Sequence, residues 1–209
     1  VNPMLDDSSM ERALGVIAAR RDKVERRVAE HVDLIQQVLG GAIDRVDIAR
    51  PDSIRDVISV VRPFQELGHL SDDLKDQGIL NEQQWAFNWK IAQEYTSTYQ
   101  QDVLAAAAEN PDPNAPSPQT LFTRLVMNDF LREPLEVYHA LLVEASGRPD
   151  EVMALVPLTT EQEGEASRLR GAIAGAGDDE AKAAAVQELI TFLTPEQRKA
   201  FVQAILDSR

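Results

Sequence analysis

Helix-start signals recur along this chain so often that they leave little room for other secondary structure. Asn81-Glu82-Gln83-Gln84, Thr159-Thr160-Glu161-Gln162 and Thr194-Pro195-Glu196-Gln197 all have the form of a capping box. In such a box a short polar side chain accepts from the third helical amide, while Glu or Gln reaches back to the amide of the cap. Ser8-Ser9-Met10-Glu11 has the same form, and Ser117-Pro118 places proline at the first helical position, where its missing N–H costs nothing. Gly40, Gly41, Gly78, Gly147, Gly175 and Gly177 sit where helix stops are expected. No stretch alternates apolar and polar residues over the length of a strand. Ile58-Ser59-Val60-Val61 continues a helical stripe begun by Ile54 and Val57. The expected fold class is all-α, a helical bundle.

Met10, Leu14, Ile17, Arg21, Val24, Val28, His31, Ile35 and Val38 recur at spacings of four and three, a heptad seam interrupted only by Arg21 and His31. This predicts one long helix over 10–39. Its seam needs a partner, either a later helix of the same chain or a second copy, so a homodimer through the first helix is one expectation. Further helices are predicted near 53–62, 71–77, 82–108 and 119–145, the last kinked at Pro134. Four more follow near 150–156, 160–174, 178–191 and 195–207. The prolines of 110–118 predict a loop. The expected organisation is a bundle over 1–157 containing that loop, and a segment of short helices over 158–209.

Charge narrows the partners. The net charge is −14, and most of it lies beyond residue 50. Such a surface repels phosphate backbones, so nucleic acid is not expected as a partner. No apolar run approaches a spanning helix, so no membrane span is expected in this chain. Without Cys there are no disulfides and no thiolate chemistry. The start at Val1 rather than Met suggests that an upstream segment was removed.

Two of the three histidines lie in Glu-x-x-His: Glu66 with His69, and Glu136 with His139. That spacing puts both groups on one helix face, as in di-metal helical bundles, so these four residues form a candidate metal site. Geometry opposes it. On the helix of His139 the buried stripe is Leu131, Leu135, Tyr138 and Leu142. At about 100° per residue, Glu136 lies roughly 140° and His139 roughly 80° from its centre. No cofactor is expected. Five of the eleven aromatics fall between Trp85 and Tyr99. They build either a core or a groove for a partner protein or peptide, with Trp85, Trp89, Tyr95 and Tyr99 as the candidate partner-binding residues. The basic cluster Arg20-Arg21-Asp22-Lys23 and Arg26-Arg27 is interleaved with acids and reads as a solvated helix face. No phosphate loop, nucleophile elbow or zinc-binding His pair is present.

Leu158-Thr-Thr-Glu-Gln162 and Leu193-Thr-Pro-Glu-Gln197 both match LTxxQ. The segment 158–209 thereby resembles the LTxxQ (Spy/CpxP-like) family of bacterial envelope proteins. The resemblance implies helical hairpins, a periplasmic or envelope location, and binding rather than catalysis, since the family includes chaperones and stress regulators.

Together these observations lead to the expectation of a non-enzymatic helical binding or scaffolding protein. The alternatives are a metal-binding bundle and a dimerising interaction module.

Overall fold

The computed structural model describes residues 7–43, 51–106 and 117–209. The protein is an all-α helical bundle, with no strand among the described residues. In chain order the helices are α1 (Asp7–Glu30), α2 (Val32–Leu39), α3 (Pro51–Gln65), α4 (Leu70–Asp76), α5 (Glu82–Ala106) and α6 (Pro118–Val126). They continue as α7 (Arg132–Ser146), α8 (Pro149–Met153), α9 (Thr160–Gly175), α10 (Asp179–Phe192) and α11 (Pro195–Asp207).

The expected helix over 10–39 is two helices. His31 separates them, with φ −122° and ψ 29°. The carbonyl of His31 accepts from the amides of Leu34 and Ile35, which restarts the helix. Ser8 lies inside α1 rather than capping it. Asn81 and Gln84 form the predicted box, each backbone amide 2.9 Å from the other's side-chain oxygen. The helix predicted over 119–145 is α6 and α7 joined by a π-helical turn at Met127–Leu131. Pro134 explains its position: proline offers no amide to the carbonyl four residues back and crowds it, and a wider turn relieves both. The predicted loop 110–118 lies outside the described residues up to position 116.

Two compact units result, and the expected division at 157/158 falls inside the second. The first comprises residues 1–24 and 41–132. Here α3 buries Val57, Val60, Val61 and Phe64, one helical stripe, and packs on the π-helical turn, whose Leu131 is fully buried. Each such side chain contributes about 1.5–3 kcal/mol by leaving water. Gly78 ends the α4 turn at φ +65°, a conformation that favours glycine, and the Ile79 amide bonds the Leu74 carbonyl at 2.9 Å.

The second unit comprises residues 25–40 and 133–209. Its core is drawn from α2 (Ile35), α7 (Leu141), α9 (Leu169), α10 (Val186, Ile190) and α11 (Phe201, Ile205). Short helices leave many carbonyl ends, and arginines close them. The Arg198 guanidinium bonds the carbonyls of Ile190 and Thr191 at the end of α10, and reaches Asp33 of α2 at 2.8 Å. Arg148 does the same at the end of α11, bonding the carbonyls of Ser208 and Ile205.

Candidate functional site

The expected binding segment is α5. Its two tryptophans, 85 and 89, stack with ring centroids 6.2 Å apart and planes 5° from parallel. The Trp85 indole N–H donates to Asp72 at 2.8 Å, and the Lys75 ammonium lies 3.7 Å from the centre of the ring. His69, at the start of α4, places its ring 6.3 Å from that of Trp89. The indole hydrogen bond, more than any other contact, holds the Asp72 carboxyl below the usual range. This corner joins α4 to α5, so the Trp pair acts first as packing, although Trp89 remains 44% exposed.

The opposite side of α5 is different. Phe87, Ile91 and Tyr95 are spaced four apart, and all three are exposed, Phe87 by 64%. At about 100° per residue they cover roughly 80° of one face, about 140° from the Trp pair. Sequence reasoning grouped the tryptophans with Tyr95 and Tyr99; their spacing and contacts put them across the helix from Phe87, Ile91 and Tyr95. Tyr99 belongs to α5, but its side chain lies outside the described residues. By the same angular count Asp102 falls on the stripe and Glu94 about 20° beyond its Phe87 edge.

The candidate metal ligands are distributed otherwise. Glu66 and His69 belong to the first unit, and Glu136 and His139 to the second; each of the four is exposed. Among the described residues no group of three or more His, Asp or Glu side chains is arranged to hold a metal ion. His139 instead borders a cleft of about 330 Å³ in the second unit, with Leu39, Leu135, Leu142 and Glu180.

At the base of that cleft is a polar network with no sequence signal. The Tyr138 hydroxyl donates to Gln187 at 2.7 Å and accepts from Gln36 at 2.6 Å, and Gln187 donates back to Gln36 at 2.8 Å. Burial pushes the Tyr138 hydroxyl well above the usual phenol range. In the first unit, Arg20 departs from the expected solvated face. It is 7% exposed and bonds Asp73 and the Gly68 carbonyl, while Lys23 bonds the Leu67 carbonyl.

The seam of α1 is also used unevenly. Val24 is buried in the first unit and Val28 in the second, whereas Met10, Leu14 and Ile17 are exposed. The two LTxxQ glutamines meet: Gln162 and Gln197 bond each other through their side-chain amides.

No protein-family model, curated protein or solved structure matches the chain. Among the described residues no helix is long and apolar enough to cross a membrane.

Proposed function

We propose that this protein is a non-enzymatic binding module that recruits a partner protein or peptide through α5. The observation that carries this reading is the exposed stripe Phe87, Ile91 and Tyr95. Exposed apolar area of this kind is costly to leave in water, and burying it against a partner is the physical gain that a binding surface offers. A photo-crosslinking residue at Ile91 tests the reading in the native extract, with Lys199, an exposed polar position in the second unit, as control. A defined partner captured from Ile91 and lost in a Phe87→Ser/Tyr95→Ser variant of unchanged helicity is expected. Equal capture from both positions, or none from Ile91, sinks the reading.

An envelope chaperone-like role is a second reading. Its support is the pairing of Gln162 with Gln197, which makes the two LTxxQ copies one structural feature. It requires the protein to suppress aggregation of a denatured client, and no suppression in that assay removes it.

A further inference from the structure

The same face of α5 carries information about the partner. Along α4 and α5 six carboxylates (Asp72, Asp73, Asp76, Glu82, Glu94 and Asp102) stand against two lysines, Lys75 and Lys90. Lys75 pairs with Glu82 at 3.1 Å and lies over the Trp85 ring, Lys90 pairs with Glu94 at 3.7 Å, and Asp73 pairs with Arg20 of α1 at 2.7 Å, so the surplus on the two helices is negative and Asp102 is its member on the stripe. Beside the stripe stands Glu94, about one turn beyond Ile91 and paired with Lys90, and on it Asp102, about three turns beyond Ile91. The rest of the chain reinforces this sign, with a net charge of −14.

We infer that the occupant of this face is a cationic amphipathic helix, with apolar side chains that cover Phe87, Ile91 and Tyr95 and Lys or Arg side chains that meet Glu94 and Asp102. The inference rests on the reading of α5 as a docking surface and adds the chemical class of what docks. The apolar contact supplies the affinity, and the carboxylates select the sign of the partner and speed its approach. An acidic helix with the same apolar pattern brings like charges together and is rejected. An extended apolar strand has no edge to pair with, because among the described residues there is no sheet.

The test uses the full chain and two labelled model helices of about five turns with identical leucine positions, one flanked by Lys and one by Glu. Fluorescence anisotropy is expected to show binding of the Lys helix alone. Its affinity should fall about tenfold or more between low salt and ~0.5 M salt, and by a similar factor in a Glu94→Gln/Asp102→Asn variant. A Phe87→Ser/Tyr95→Ser variant, which keeps every charge, should abolish binding.

Equal binding of both helices overturns the cationic class while leaving α5 as a docking face, and failure of both overturns the docking reading as well. Binding that survives loss of Phe87 and Tyr95 reflects general attraction to an acidic protein, and overturns the proposal. So does competition from the unlabelled protein coupled to its own dimerisation, because the face would then belong to a second copy.

Discussion

The side-chain amides of Gln162 and Gln197 bond to each other in both directions, at 3.0 and 2.7 Å, and tie the start of α9 to the start of α11. Each glutamine also accepts from the amide of its own cap residue, Thr159 at 3.1 Å and Thr194 at 3.0 Å. Gln197 adds a bond to the Pro157 carbonyl at 2.6 Å and is 7% exposed. Two capping boxes 35 residues apart are thus one polar joint, with Gln197 as its buried member.

Removing Gln197 leaves the Thr194 amide, the Pro157 carbonyl and the Gln162 amide short of a partner. Gln197→Ala is therefore expected to destabilise the second unit by about 2–3 kcal/mol, and Gln162→Ala by about 1 kcal/mol. In a double-mutant cycle followed by urea unfolding, the two should couple by about 0.5–1.5 kcal/mol. Strict additivity would show that the boxes act separately, whatever their distance.

The helix starts at Asn81, Thr159 and Thr194 were legible because a capping box is a local device, read over four residues. The same locality hid the joint between Gln162 and Gln197, because nothing in either motif encodes the other's position. The break at His31 was hidden for a related reason. Heptad spacing continues through it from Val28 to Ile35, and periodicity reports which side chains face inward, not whether the backbone stays hydrogen-bonded between them. Gln36 and Gln187, 151 residues apart, carry no pattern at all. On α5 the two faces follow from residue spacing alone, whereas the packing of the Trp pair against Asp72, Lys75 and His69 does not.

Tyr138→Phe removes the hydroxyl shared by Gln36 and Gln187 and changes little else in shape. Both amides are left with unmet capacity beside a buried ring, so a loss of about 1–3 kcal/mol is expected. Spectroscopic titration gives an independent check. The Tyr138 hydroxyl should stay protonated past the ordinary phenol range near pH ~10 and ionise only as the second unit unfolds. Ionisation of Tyr138 with ordinary phenols, in protein that is still folded, contradicts its burial.

Acid should weaken the second unit through Glu144. The Arg209 guanidinium, bonded to both Glu144 oxygens at 2.6–3.2 Å, and Arg148 hold this carboxyl below its usual range. A carboxyl lowered on folding contributes stability above its unfolded pKa of about 4.3, and that stability is lost as pH falls through the folded value. Glu144→Gln should therefore be less stable than the parent at neutral pH, with the gap closing below about pH 4. The pair is partly exposed, so salt should narrow the gap at neutral pH as well. A gap independent of pH would assign the role of Glu144 to packing.

The two ends of the α1 seam should respond oppositely to the same substitution. Leu14 is 60% exposed, so Leu14→Asp exchanges one exposed side chain for another and should change the stability of the isolated chain by no more than about 0.5 kcal/mol. Val28 is fully buried in the second unit, and Val28→Asp places a carboxylate in an apolar core, at a cost of about 3 kcal/mol or more. Val28→Asp is consequently no test of self-association, because it unfolds the unit that contains it. Leu14→Asp is such a test, since any dimer built on Met10, Leu14 and Ile17 loses affinity while each chain stays folded. Sedimentation of the parent and of Leu14→Asp over a wide concentration range separates the cases. A parent dimer that Leu14→Asp dissociates puts a second copy on the α1 face. A parent that stays monomeric throughout leaves that face to a different occupant, or to water.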